Sequence, residues 1–192
     1  MIWLLDNRDS FVFNLEQAFR SFGMVTRTTR SDRTEPAEIY EARPRVLVLS
    51  PGPGRPAEAG CLLQVVEEAP PDLPILGVCL GAQALVQQSG GSLRLCKEVF
   101  HGRTSLIHHK GQGLFQGFPQ PLEVCRYHSI AADPATLPSC WKVEAWNQDL
   151  DGTRIPQAIL HRELPRLGLQ FHPESFRTPL GVELLRRVLD IL

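Results

Sequence analysis

The chain has 192 residues, a formal net charge of −1, and 43% apolar and 21% charged residues. That length suits one domain over residues 1–192 with a sizeable core, and the near-neutral balance offers no concentrated basic patch of the kind a nucleic-acid partner requires. No apolar stretch approaches the ~20 residues of a membrane span, the opening apolar run is too short for a secretory leader, and the five cysteines have no C-x-x-C spacing, so a cytoplasmic location without a membrane is expected.

Three short apolar runs, residues 2–5, 46–49 and 75–78, each end in small or polar residues. Continuous apolar runs of this length predict strands buried on both faces, as in a parallel sheet. Between the first two, Phe11, Leu15, Ala18, Phe19 and Phe22 recur at helical spacing until Gly23, with Asp9 or Ser10 as the expected cap. After the third run, residues 82–88 continue as a short helix that ends at Ser89-Gly90-Gly91. From 92 to 146, apolar and polar residues mix in short segments broken by Gly and Pro, which predicts hairpins and loops added to the sheet. Residues 157–160 and 167–171 are further strand candidates, and 180–192 form an amphipathic helix with Val182, Leu185, Val188, Leu189 and Leu192 in one stripe. The alternation predicts an α/β fold with an open, mostly parallel sheet flanked by helices.

Gly77-Val78-Cys79-Leu80-Gly81 lies between a predicted buried strand and a helix. A nucleophile needs this setting: a sharp turn that projects it, flanking glycines that do not crowd it, and a helix N-terminus that favours a thiolate. The Leu80 N–H would then be free to bind an oxyanion. By pattern alone Cys79 fits a buried core thiol equally well, and the other four cysteines fit that role better. A thiolate nucleophile needs an imidazole to manage protons. His172 follows the predicted strand 167–171, at a carboxyl edge where open α/β sheets bind ligands, and Glu174 is two residues on, in reach of its ring. His108-His109 are adjacent on a predicted strand and point to opposite faces, and His101, His128 and His161 have no evident ligand set, so no metal is expected. Ser50-Pro51-Gly52-Pro53-Gly54 lacks the Lys-Ser/Thr of a phosphate loop and the spacing of a dinucleotide site. It reads as an ordinary turn, or as a loop that offers one or two N–H groups, at Gly52, to an oxyanion or a carboxylate.

Taken together, residues 50–54, Gly77-Val78-Cys79-Leu80-Gly81-Ala82-Gln83 and Gln170-Phe171-His172-Pro173-Glu174-Ser175 resemble the signatures of class I glutamine amidotransferases, in the same order and spacing. Asp6-Asn7-Arg8-Asp9-Ser10-Phe11, His101-Gly102-Arg103-Thr104-Ser105 and Arg126-Tyr127-His128-Ser129-Ile130 further resemble the amidotransferase subunits of anthranilate and aminodeoxychorismate synthases. Ala82 departs from the His that commonly follows the elbow glycine, Arg103 from a frequent Lys, and Phe-Arg-Thr-Pro-Leu-Gly at 176–181 from a more acidic run.

The resemblance implies a flavodoxin-like amidotransferase fold and a Cys79–His172–Glu174 triad that hydrolyses L-glutamine through a thioester. It implies an oxyanion hole at Gly52 and Leu80, and a glutamine pocket at Gly52, Gly54, Gln83, Ser129 and Ile130. No cofactor is implied. The released ammonia would pass to a chorismate-binding synthase subunit, expected as a separate polypeptide. The alternatives are a stand-alone γ-glutamyl hydrolase and a regulatory subunit that is catalytically idle.

Overall fold

A computed structural model describes residues 1–98 and 102–192. Its strands are β1 (Ile2–Asp6), β2 (Thr26–Arg30), β3 (Val46–Leu49), β4 (Ile75–Val78), β5 (Leu93–Leu95), β6 (Arg103–His109), β7 (Leu122–Arg126), β8 (Ile130–Ala132), β9 (Trp141–Gln148), β10 (Arg154–His161) and β11 (Arg166–Leu169). The α-helices are α1 (Val12–Ser21), α2 (Pro36–Glu41), α3 (Leu62–Glu68), α4 (Leu80–Gln88) and α5 (Gly181–Ile191). No helix among the described residues is long and apolar enough to cross a membrane.

Nine strands form one sheet in the order β2-β1-β3-β4-β11-β10-β9-β6-β7, and β5 pairs with β8 in a separate ribbon. The first five run parallel, and the rest extend the sheet antiparallel, so the predicted hairpins lengthen the sheet itself. The continuous apolar runs follow from the layering. Ile2, Leu4, Val46 and Val48 pack with α1 and α5 on one face, while Trp3, Leu5, Leu47 and Leu49 pack with α2, α3 and α4 on the other. A strand covered on both faces has no polar side to alternate with.

The carboxyl ends of β1 and β3 are tied to each other. Asn7 N–H donates to Ser50 Oγ at 2.8 Å, and the Asn7 side-chain amide donates to the Ser50 carbonyl at 2.8 Å. β1 separates β2 from β3, so the chain reverses direction across the sheet here, a switch point at which such folds open a crevice. The segments after β3, β4 and β11 all emerge on this edge.

Helix α1 starts at Phe11 as N-cap, which has no capping side chain, so neither Asp9 nor Ser10 takes the cap position expected of them. Helix α4 starts at Leu80, two residues earlier than the pattern predicts, because Gly81 hides the first turn from a periodicity count.

Candidate active site

β4 ends at Val78, and Cys79 follows with φ +50° and ψ −102° as the N-cap of α4. A positive φ is unfavourable for a residue with a side chain and persists only where its surroundings fix it. Two bonds do so: Cys79 N–H donates to the Leu169 carbonyl at 2.7 Å, and the Cys79 carbonyl accepts from Gln83 N–H at 3.1 Å. The flanking glycines meet backbone close behind the turn. A Cβ at Gly77 would stand 2.5 Å from the Gly81 backbone, and one at Gly81 would run into the Leu49 carbonyl. They let α4 press onto β4 and β3, which fixes the turn from behind.

Gly52, Gly54, Cys79, Gln83, Ser129 and Ile130 share the wall of one cavity of about 120 Å³, joined by Pro53, Tyr127 and His128. Gly52 has no room for a side chain: a Cβ would stand 2.5 Å from the Asn7 carbonyl oxygen and 2.8 Å from Leu80 Cδ2. The loop after β3 thus lies directly against the turn at Cys79. Gly54 has φ +73°, and Glu58 closes its loop by accepting from Arg55 N–H at 3.1 Å. Leu80 N–H belongs to the first turn of α4, where amides have no partner inside the helix.

His172 is 3% exposed. Its Nδ1 lies 2.6 Å from Glu174 Oε1, which fixes the ring's orientation and leaves Nε2 free of Glu174. Phe11 and Tyr127 meet the ring edge-on, with centroids at 6.3 and 5.0 Å. The His172 backbone N–H donates to the Cys125 carbonyl at 2.9 Å. Burial works against a charged imidazole here, but the negative charges of Cys79 and Glu174 outweigh it and hold the ring's pKa well above the usual value.

Two features escaped the sequence reading. Asp9 is drawn into the site: burial, then the neighbouring Glu174, raise its carboxyl from 3.8 to about 6, partly offset by His172. Gln170 is 5% exposed and turns its amide toward Cys79, with Nε2 3.7 Å from Sγ. Adjacency in the motif hinted at Gln170; nothing in the local sequence placed residue 9 beside residue 174. His108 is exposed and His109 buried against Phe115, as strand alternation predicts, and the described residues contain no cluster suited to a metal. His101 lies outside the described residues.

Residues 3–191 match the family described as "Glutamine amidotransferase class-I". The chain is 44% identical to aminodeoxychorismate synthase component 2 of Escherichia coli, covering 98% of this chain and 99% of that one. It is 43% identical to anthranilate synthase component 2 of Pseudomonas aeruginosa (98% and 94%) and 42% identical to aminodeoxychorismate/anthranilate synthase component 2 of Bacillus subtilis (99% and 96%). Among solved structures, the fold matches a putative GMP synthase subunit from Thermoplasma acidophilum with a TM-score of 0.83 at 24% identity, over 99% of this chain and 92% of that one. A glutamine amidotransferase from Thermotoga maritima matches at 0.80 and 18% identity, over 98% and 96%.

Proposed function

The chain belongs to the class I glutamine amidotransferases, and we propose that it is the glutaminase component of a two-subunit synthase that aminates chorismate. The observation that carries this reading is the buried His172–Glu174 pair, held 2.6 Å apart beside a strained Cys79 that faces a small cavity. Support for the partner comes from the relatives, which are component 2 subunits matched over almost their full length.

In this reading the Cys79 sulfur attacks the side-chain amide carbon of glutamine. The oxyanion accepts from the N–H groups of Leu80 and Gly52. The C–N bond breaks, His172 gives its proton to the leaving nitrogen, and a glutamyl thioester remains. The raised pKa of His172 suits that acid role. Acylation then removes the charge on sulfur that raised it, so the imidazole, its proton already given to ammonia, stays neutral and can take a proton from the water that releases glutamate. Gly54, Gln83 and the Ser129-Ile130 backbone would hold the rest of the substrate. Gln83 commits its amide nitrogen to the Ile130 carbonyl at 2.8 Å and to Gln170 at 3.3 Å, which leaves its oxygen for a donor on the ligand. A cavity of about 120 Å³ suits one amino acid better than the extended substrate of a free-standing γ-glutamyl hydrolase. Because free ammonia is mostly protonated at neutral pH and then not nucleophilic, it must travel to chorismate by a protected route in the partner complex.

The test is glutamate release from glutamine by the purified chain, alone and with its synthase partner and chorismate. Release is expected to be slow alone and to rise sharply with both. Cys79→Ser should lower it by about a thousandfold or more while the complex still uses added ammonia. Fast release indifferent to partner and chorismate would favour the γ-glutamyl hydrolase, and full glutamine-dependent activity in Cys79→Ser would remove the nucleophile assignment.

A further inference from the structure

We propose that Gln170 is a further catalytic residue: its side-chain amide donates an N–H to the Cys79 sulfur and holds that sulfur, with its charge, in the attacking position. The inference rests on Cys79 being the nucleophile.

The direction of the hydrogen bond follows from the protein around it. An amide's oxygen and nitrogen are told apart by their partners. The Ile130 carbonyl can only accept, and the Gln83 side chain reaches it at 2.8 Å, so Gln83 presents its nitrogen there. The same nitrogen lies 3.3 Å from the Gln170 side chain, so the Gln170 atom facing it is oxygen. The other arm of the Gln170 amide, 3.7 Å from Sγ, is therefore the NH2. Reversing either amide would set two acceptors or two donors against each other. Polarity is thus passed from a backbone carbonyl, through two buried amides, to the reacting atom.

Gln170 is anchored as a working part would be. Its backbone N–H donates to the Gln157 carbonyl at 2.9 Å, and the Gln157 amide donates to Asn147 Oδ1 at 2.8 Å. Gln83, Gln157 and Gln170 are all 5% exposed or less, which shields these bonds from bulk water. The end of β11 serves the nucleophile three times: Leu169 accepts from the Cys79 N–H, Gln170 donates to its sulfur, and His172 handles its proton. A hydrogen bond to an ionised acceptor is stronger than one to a neutral acceptor. It therefore favours the charged sulfur before attack and is relaxed when the thioester forms.

The test follows alkylation of Cys79 by iodoacetamide, read by peptide mass because the chain has five cysteines, across neutral to alkaline pH. His172, Glu174, Asp9 and His128 are the other titratable side chains of the site and are the same in every variant, so each variant is compared with the parent chain. In Gln170→Met the neutral-pH rate should fall about tenfold and return to the parent rate at alkaline pH. In Gln170→Glu, which keeps the shape but sets an acceptor and a charge against the sulfur, it should fall further. A purely structural role would lower the rate at every pH. In the parent chain itself, the Gln170 side-chain NH2 resonances should move as Cys79 titrates and again when it is alkylated. Still resonances, or an unchanged profile in folded variants with Cys79 still essential, would overturn the role of Gln170 alone. Retained glutamate release by Cys79→Ala would instead remove the premise.

Discussion

Asp9 shows how a single side chain couples this site to pH. Its carboxyl is raised from 3.8 to about 6, first by burial and then by Glu174, with His172 pulling the other way. The folded chain therefore holds this proton more tightly than the unfolded chain does. The resulting stability is fully present below pH 3.8 and is lost as pH rises through about 6. Asp9→Asn removes this dependence, so its stability relative to the parent should improve steadily across that window and level off above it. Urea midpoints measured at several pH values check this, and a constant difference would refute it. His172, raised, also loses its contribution as pH rises, whereas His128, held well below its usual value by burial, Arg126 and His172, contributes fully above 6.5 and loses it on acidification. The His128 contribution cancels when the variant is subtracted from the parent, whereas that of His172 includes its attraction to Asp9, which the same difference reads. The residues of the proposed triad were legible in the sequence because the chemistry demands those residue types in those settings. The environment of Asp9 was not, since Glu174 reaches it only through the tertiary fold.

Elements were legible in proportion to how much apolar surface they bury on their own. β1, β3 and β4 announce themselves because both faces are covered, and α5 because Leu185, Val188 and Leu189 of the expected stripe are buried, although Val182 of that stripe is exposed and Leu184 is buried in its stead. β2 is Thr-Arg-Thr-Thr-Arg, an edge strand paired with β1 alone, and charged edges carry no apolar signal. Helices α2 and α3 have six and seven residues, fewer than a periodic pattern needs to register. The elbow between β4 and α4 is where element geometry has the most to lose. Gly81→Ala would drive a Cβ into the Leu49 carbonyl, so α4 must move off β3 and destabilisation of roughly 3 kcal/mol or more is expected. Gly90→Ala, at the other end of the same helix, meets nothing within 4 Å and bears only its φ of +89°, a cost of about 1–2 kcal/mol. Thermal melts should place the first variant well below the second; equal melting points would mean that the elbow tolerates a shifted helix.

At the scale of the whole molecule, the antiparallel half of the sheet does more than extend the parallel half. In sheet order β7 lies four strands from β11, which in a flat sheet is roughly 19 Å. Yet Cys125 of β7 accepts from the His172 N–H at 2.9 Å, just past the end of β11, so the sheet curls back on itself. The curl has room to form at the β6–β9 junction, where the paired positions are His108 with Trp146 and His109 with Ala145. Thr178 fastens the closure: its hydroxyl accepts from Cys125 N–H at 3.0 Å and donates to the His172 carbonyl at 2.6 Å. No period in the sequence encodes such a contact, which is why the middle of the chain read only as hairpins. Thr178→Val keeps the size of the side chain and removes the hydroxyl. The His172 carbonyl retains Ser175 N–H at 3.3 Å, but the buried Cys125 N–H is left without an acceptor, at a cost of about 1–3 kcal/mol. Thr178 is not on the wall of the cavity proposed for glutamine, so KM for glutamine should change little while kcat falls as His172, the proposed base, loses its fixed position. Loss of stability with kcat intact would mean that β7 closes the fold without steering His172; loss of both would make the curled half of the sheet part of the machinery that aims the base.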